Sequence, residues 1–398
     1  MSNRIETEYG EIPANWKFIR ASEYCSKVTD GTHDSPKQQL VGRHLITSKH
    51  IKGREIDFEN AYLISEVDFE KINKRSYVEQ WDVIISMIGE YCGFTYIERN
   101  YKINYAVKNV GLFKTGSELK AVWLHYFLNS PIGKYILDMN KSGSSQPYIS
   151  LGSLRELPIL LPSYLEQKAI ASVLSSLDDK IDLLHRQNAT LEKMAETIFR
   201  QWFIEEAKED WEMRKIGDEF DFMMGASPPG ESYNEDRNGV PMYQGNADFG
   251  FRFPTNRVFT TDPKRFAMKY DTLISVRAPV GEQNMANEKC CIGRGVAAFR
   301  YKNDNSFYSY TFYKMKSLMD EIKQFNETGT VFGSISKSDF ETIDISIPDK
   351  NSIVHFQSIV KPLDEKIMIN QTQIRTLTTL RDTLLPKLMS GEVTVILS

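Results

Sequence analysis

The sequence predicts an α+β fold: two repeated α+β domains separated by an antiparallel two-helix coiled coil, with pseudo-twofold symmetry. Three observations predict it. Segments of the 398-residue chain recur in the same order in its two halves. The globular part of each half carries short β-rich runs between turn residues, and each half ends in a long heptad-patterned segment.

The repeat comes first because it sets the organisation. Trp16-Lys17-Phe18-Ile19-Arg20 recurs as Trp211-Glu212-Met213-Arg214-Lys215, and Asp82-Val83-Ile84-Ile85-Ser86 as Asp271-Thr272-Leu273-Ile274-Ser275. Tyr148-Ile149-Ser150 with Leu157-Pro158-Ile159-Leu160-Leu161-Pro162 is echoed by Ser334-Ile335-Ser336 with Ile343-Asp344-Ile345-Ser346-Ile347-Pro348. Leu177-Asp178-Asp179-Lys180-Ile181 matches Leu363-Asp364-Glu365-Lys366-Ile367. The offset shrinks from 195 at the Trp pair to 189 and then 186, so insertions lie within the globular parts while the tails keep strict register. Four segments follow: 1–163 and 208–349 are globular, and 164–207 and 350–398 are helical.

Within the globular segments, strands are predicted at 82–87, 110–113, 272–276 and 296–301, where β-branched and aromatic residues lie between Gly, Asn and Pro breaks. Helices are predicted at 119–128 and near 307–319, and Pro158, Pro162 and Pro348 punctuate the passage into each tail. In the first tail Leu177, Ile181, Leu184, Asn188, Leu191, Ala195, Ile198 and Trp202 are spaced alternately four and three. Leu363, Ile367, Asn370, Ile374, Leu377, Arg381, Leu384 and Leu388 repeat that spacing in the second, which is a heptad seam. A run of ~25 residues makes a rod of ~38 Å, more than a small domain needs as a cap. Pro362 suits a first helical turn, so 352–361 is expected to be a separate or kinked turn, and Pro386 is expected to fray or end the second helix.

Composition bounds the function. With 41% hydrophobic and 26% charged residues, the chain reads as globular; its polar start lacks a signal-peptide core, and no apolar run approaches the ~20 residues of a membrane span. Cys25, Cys92, Cys290 and Cys291 show neither zinc-site spacing nor a disulfide framework, which points to a reducing cytoplasm. Net charge is +1 over 1–163, −3 over 164–207, −4 over 208–349 and +2 over 350–398. A free-standing DNA binder usually carries a basic surplus, so a DNA role requires a partner to supply much of the phosphate neutralisation.

Catalytic motifs are missing from the sequence. Ser227-Pro228-Pro229-Gly230 ends in Gly where an amino-methyltransferase motif ends in an aromatic residue, and there is no phosphate-binding Gly-x-x-x-x-Gly-Lys-Ser/Thr loop. Glu166-x-Lys168 imitates half of a nuclease motif, but its repeat mate is Ser352-Ile353-Val354, so a helix face is the better reading. His33 beside Asp34 lacks an identifiable nucleophile and reads as a turn or DNA-contacting residue. No catalytic or metal-ligating residue is therefore assigned.

The tandem of variable domain and fixed helix resembles the specificity subunits of type I restriction-modification enzymes. The resemblance rests on Thr29-Asp30-Gly31-Thr32-His33, on Asp82-Val83-Ile84-Ile85-Ser86-Met87-Ile88-Gly89, and on Pro241-Met242-Tyr243-Gln244-Gly245-Asn246. Asp271 through Gly281, Glu166-Gln167-Lys168-Ala169-Ile170 and Leu385 through Val393 complete it across the whole chain. The resemblance implies two target recognition domains, each reading half of a split, asymmetric site on double-stranded DNA. The helices would act as a ruler and dock two methyltransferase subunits, with restriction subunits added for cleavage. No cofactor is then expected on this chain; S-adenosylmethionine, ATP and Mg belong on the partners. Two other readings compete: a self-contained DNA methyltransferase or nuclease, and a coiled-coil adaptor that does not touch DNA.

Base readout requires bidentate donors and acceptors with small or aromatic groups beside them. The candidates in the first domain are Thr32, His33, Arg43, His44, Lys49, His50, Ser144, Ser145, Gln146 and Tyr148. Those in the second are Tyr243, Gln244, Asn246, Arg252, Arg277, Gln283, Asn284, Arg294, Thr330 and Phe332. Loops 141–148 and 327–332 stand out as units, since each is rich in Gly, Ser or Thr, ends in an aromatic residue and holds the same place in its repeat.

The helix register is also predicted. In an antiparallel pairing Asn188 faces Asn370 when paired positions sum to 558, and two facing amides satisfy each other where a lone buried one costs ~1–3 kcal/mol. That register sets Ile181 on Leu377, Leu184 on Ile374, Leu191 on Ile367 and Ala195 on Leu363. Leu177 falls opposite Arg381, tolerable if the Arg stem covers the Leu and its head reaches water.

Overall fold

The structure is a computed structural model that describes residues 4–302, 304–328 and 334–395. Two compact units emerge: the chain up to Asp182 together with the stretch from Ile374, and Leu183–Gln373.

In the first unit the central strands are Asp82–Ser86 and Val110–Lys114, buried at every position and paired antiparallel from Val110 on Ser86 to Lys114 on Asp82. A strand covered on both faces needs no polar alternation, which is why these runs read as continuous apolar segments. Lys27–Asp30 and Thr95–Ile97 flank them, giving a four-stranded antiparallel sheet. A smaller sheet orders Leu63–Ile64, Arg43–Thr47 and Tyr105–Lys108, the last two running parallel. Helices Glu118–Asn129, Pro131–Met139 and Leu151–Glu156 pack beside the larger sheet, each opened by a serine whose hydroxyl accepts a first-turn backbone N–H (Ser117, Ser130, Ser150). Lys17–Arg20 pairs with Pro158–Leu161, clasping the start of the globular part to its end.

The second unit repeats this plan. Phe220–Met224, Val296–Tyr301, Thr272–Ser275 and Gln283–Met285 form a four-stranded sheet in the corresponding order. A five-stranded sheet contains Val240–Tyr243 parallel to Cys290–Ile292, matching the parallel pair of the first unit. Glu212–Lys215 pairs with Asp344–Ile347 as its clasp, and helices Tyr308–Ser317, Met319–Thr328 and Lys337–Thr342 follow. The α+β repeat predicted from sequence is therefore the observed architecture.

The two tails are single helices, a central one over Tyr164–Arg200, continued by a π-helical turn over Gln201–Glu205, and a C-terminal one over Lys350–Met389. Each unit holds a stretch of both, packed antiparallel. In the second unit Asn370 Nδ2 donates to Asn188 Oδ1 at 2.9 Å, and both residues are fully buried. That is the register in which paired positions sum to 558. Ile367 is fully buried in the same seam, and Ala195 and Leu363 enter one apolar core. In the first unit Ile170 and Leu174 pack in one core with Leu388 and Met389. Arg381 is ion-paired as well as partly exposed: its Nη1 donates to the buried Asp178 carboxylate at 2.8 Å and its Nη2 to the exposed Asp382 at 2.7 Å.

Both proline expectations are corrected. Pro362 lies inside an unbroken helix, because Ile353, Phe356 and Val360 on the preceding turns are fully buried in the second unit's core. The apolar anchorage outweighs the one backbone hydrogen bond that proline removes. Past Pro386 the helix runs on to Met389, since Leu388 and Met389 are buried in the first unit's core. It ends at Gly391, whose φ of +68° suits glycine and whose added Cβ would come within 2.4 Å of Pro13 Cγ. The Arg4 guanidinium meets the carbonyls of Ser390 and Gly391 at 3.3 Å, so the described ends of the chain come together.

The helix openings resolve differently in the two repeats. Glu166 accepts the Trp16 indole N–H at 3.2 Å and completes a capping box with Ser163. In the second unit Asp349 takes that role, accepting from the Ser352 backbone at 3.0 Å and from the Trp211 indole at 3.4 Å. The salt link from Lys208 and these hydrogen bonds hold the Asp349 carboxyl well below the usual carboxylate range.

Candidate nucleic-acid interface

In each unit one end of the sheets gathers loops from distant parts of the sequence. In the first unit these follow Lys27–Asp30, Arg43–Thr47 and Asp82–Ser86 and precede Val110–Lys114, joined by the loop 141–148. Backbone bonds lock them: Asn109 N–H donates to Thr32 O at 3.2 Å, Gly89 N–H to Pro147 O at 2.9 Å and Ile149 N–H to Met87 O at 2.9 Å. The Ser48 hydroxyl donates to Asn109 O at 2.5 Å and accepts from Met87 N–H at 3.1 Å, stapling three loops into one rim.

On this rim His33 stands out from Asp30, its Nε2 3.0 Å from the buried carboxylate and its Nδ1 3.1 Å from Asn109 Oδ1. Both nitrogens are engaged from below while most of the side chain (64%) remains exposed. Gly31, beside it, is obligatory, since a Cβ would meet Val107 O at 2.6 Å. Loop 141–148 is a closed hairpin in which Ser142 and Tyr148 exchange backbone bonds of 2.8 Å and Gly143 turns at φ +84°. Ser144, Ser145 and Gln146 sit exposed at its tip and Tyr148 is 45% exposed. His33, Asn109 and Tyr148 line one shallow groove of ≈ 350 Å³. Thr32 and the exposed Lys49 lie on the same rim.

The second unit builds its rim from the corresponding loops. Gly225 N–H donates to Val296 O, Ala226 N–H to Ile292 O, Gly293 N–H to Tyr243 O and Ile335 N–H to Val276 O, at 2.8–3.0 Å. Gln244, Arg277 and Arg294 are exposed there and Asn246 is half-buried. Arg294 Nε donates to Ser227 Oγ at 3.1 Å, and neither Arg277 nor Arg294 has a carboxylate partner among the described residues. Thr330 and Phe332 lie outside the described residues, as does most of loop 327–332.

Seven candidates point elsewhere, and the structure takes them out of the rim surface. His50 is buried, its Nδ1 accepting the Thr47 backbone N–H at 3.0 Å, and burial pushes its pKa down. Arg43 and His44 begin their strand, at the end of the sheet away from the rim; Arg43 is held by Glu66 at 2.7 Å and His44 packs edge-on against Phe58. Tyr243 is buried and donates its hydroxyl to Asn256 at 2.5 Å. Arg252 is 1% exposed and bound to Asp364 and Glu192, while Asn284 is buried against the Gly250 carbonyl. Gln283 spends its amide on Phe312 O at 2.7 Å. In each case a neighbouring group within the unit, either a backbone or side-chain hydrogen-bond partner or a ring, has claimed the polar head.

Three rim residues escaped the sequence reading. Asn109 adopts φ +56° between two strands, a position that favours Asn, and the Lys108-Asn109 pair flanked by apolar runs was its signal. Ser227 was seen only as part of a failed motif. Lys52, whose ammonium sits 3.7 Å over the Tyr91 ring, left no periodic trace.

Comparison with known proteins fits this geometry. The model for the type I restriction modification DNA specificity domain matches twice, over residues 37–193 and 208–379. A putative type I restriction enzyme MjaX specificity subunit of Methanocaldococcus jannaschii is 28% identical, over 99% of this chain and 97% of its own length. The MjaIX specificity subunit of the same organism is 26% identical, over 98% and 96%. Among solved structures, the S subunit of a type I restriction-modification system from M. genitalium superposes with a TM-score of 0.62 at 18% identity, covering 94% of this chain and 96% of that one. With the domain present in both halves and spanning most of its length, the chain belongs to the type I restriction modification DNA specificity family.

Proposed function

We propose that each α+β unit reads one half of a split DNA site through its rim, and that the chain acts as the specificity subunit of a type I restriction-modification complex. The observation that carries this reading is the duplicated rim. Two globular parts with different loop sequences present, at the same end of the same sheets, exposed side chains over a locked backbone: the His33 ring, Gln146 and Tyr148 in one, Gln244, Arg277 and Arg294 in the other. Gln reads adenine and Arg reads guanine by paired hydrogen bonds, and a rigid scaffold is what such geometry requires. Thr32, Lys49, Ser144, Ser145 and Asn246 supplement the two sets.

The target recognition domains are assigned to 1–163 and 208–349, joined by the conserved helical segments 164–207 and 350–398. Specificity subunits of this family are non-catalytic, so chemistry belongs to the partners: two methyltransferase subunits carrying S-adenosylmethionine and restriction subunits using ATP and Mg. Those partners supply the phosphate-neutralising charge that a net −4 chain lacks. The cytoplasm, where such a complex meets DNA, is the expected compartment; among the described residues no helix is long and apolar enough to cross a membrane.

Domain exchange tests the reading. Replacing residues 1–163 with the corresponding domain of another specificity subunit, and assembling the chain with its methyltransferase, is expected to change one half-site and leave the other intact. A simultaneous change in both half-sites would contradict two independent readers.

A further inference from the structure

Both units contain an ion pair on a buried carboxylate that no base contact explains, built at equivalent places. In the first unit Asp178, on the central helix and 2% exposed, accepts Arg54 Nη1 at 2.6 Å, the Tyr126 hydroxyl at 2.6 Å and Arg381 Nη1 at 2.8 Å. Arg54 Nη2 continues to Asp182 at 2.6 Å. In the second unit Asp364, on the C-terminal helix and 2% exposed, accepts Arg252 Nη1 at 2.7 Å and the Tyr313 hydroxyl at 3.2 Å, while Arg252 Nη2 reaches Tyr313 at 2.9 Å.

Asp178 and Asp364 are repeat mates at the offset of 186, and the tyrosines come from equivalent helices, Glu118–Asn129 and Tyr308–Ser317. The arginines lie 198 residues apart, outside the 186–195 spacing of the other repeated segments, but hold one topological place. Arg54 follows the start of the short 3-10 turn Ser48–His50 by six residues, and Arg252 follows the start of Asn246–Asp248 by six. Those turns belong to the rims. A tight turn between Ile51 and Ile56 presents Arg54, whereas Arg252 lies over the Phe312 ring at 4.0 Å. Each guanidinium therefore ties a rim turn to a long helix a few residues away, by a planar, fork-shaped group that fixes direction as well as distance.

We propose that Arg54–Asp178–Tyr126 and Arg252–Asp364–Tyr313 are positioning clamps, each of which fixes its rim on its helix and thereby sets how strictly the spacing of the split site is enforced. The proposal rests on the reading of each rim as a DNA reader. These residues touch no base; they act through the turn they hold. A buried ion pair is weak evidence for stability alone, since apolar packing of the same volume would serve as well. Its recurrence in loops of different sequence points to a demand for fixed geometry.

The test uses the full chain assembled with its methyltransferase partner. Substrates carry the mapped wild-type site with the spacer unchanged, shortened or lengthened by one base pair. Tyr126→Phe, Arg54→Lys and Asp178→Asn are compared, with Tyr313→Phe and Asp364→Asn as the second set. The expected result is a rise of about tenfold in methylation of the altered-spacer sites relative to the unaltered one. Simple destabilisation would lower all rates together and leave this ratio alone. Should Asp178→Asn fail to fold, Tyr126→Phe removes one hydroxyl and leaves the ion pair to carry the test. Folded variants with the wild-type spacing ratio would overturn the clamp. A wild-type chain without sequence preference would instead remove the DNA reading on which it stands.

Discussion

Asn188 and Asn370 offer the sharpest energetic test of the helix seam. Replacing Asn370 with Leu removes one 2.9 Å hydrogen bond and leaves the Asn188 amide buried without its partner. A buried amide stripped of its hydrogen bond costs about 1–3 kcal/mol. Around 2 kcal/mol corresponds to a fall of about 4–8 °C in the melting temperature of a unit this size. The double variant Asn188→Leu/Asn370→Leu behaves differently, because the pair is only half satisfied: Asn188 Nδ2 and Asn370 Oδ1 have no hydrogen-bond partner among the described residues. Removing both amides also removes those two orphaned atoms and extends an apolar seam. The double variant is therefore expected to melt at or above the wild type, with a coupling of at least about 2 kcal/mol between the sites. Urea and thermal denaturation of the four proteins, read by circular dichroism, close the cycle. Additive single effects, or a double variant less stable than either single, would refute a paired register.

Four other outcomes follow. Arg277→Ala and Arg294→Ala, at exposed side chains, are expected to weaken binding of the full complex with stability unchanged, by about 1–3 kcal/mol each where the group reads a base; equal affinity in a fluorescence titration would count against the second rim. Gln146→Ala is expected to relax preference at one position of one half-site only, as read by methylation of single-base variants. Inserting one heptad in each long helix should lengthen the rod by ~10 Å and the unread spacer by about three base pairs, and an unchanged spacer in an active protein would remove the ruler. Lastly, burial holds the His125 imidazole down to about 3, so the folded state keeps it neutral while the unfolded chain protonates near 6.5. Its contribution is complete above that pH and is lost on acidification, about 1.4 kcal/mol by pH 5.5. Asp82, pushed up to about 6 by burial despite its Lys114 partner, works in the opposite sense. The informative quantity is therefore the pH 7.5 to 5.5 change in wild type minus that in His125→Gln, and equal changes would exclude the histidine.

What could be read from the sequence was whatever the chain states locally or repeats. Asp82–Ser86 and Val296–Tyr301 were legible because strands covered on both faces are continuous apolar runs. The Asn188–Asn370 register was legible because one Asn in each seam leaves few ways to avoid an unpaired amide. Pro362 misled, since anchorage by Ile353, Phe356 and Val360 is tertiary and overrides a local preference. Short strands such as Leu63–Ile64 and Phe266–Ala267 exist only through their neighbours. Arg252 shows why surface chemistry was hardest to read. Its type suited a base contact, but its place between Phe251 and Phe253 and its bond to Asp364 follow from packing. Asp178 and Asp364 were visible as repeats, whereas Arg54 and Arg252 lie 198 residues apart, outside the 186–195 spacing of the other repeated segments.

The central claim, that this chain directs a complex to a two-part DNA sequence, is tested most directly by mapping methylated adenines in DNA from cells carrying the chain with its methyltransferase partner. The account predicts one asymmetric motif, two short specified segments separated by an unspecified spacer of constant length, that disappears when the chain is deleted. Methylation without a split motif, or a motif that persists without the chain, would contradict it.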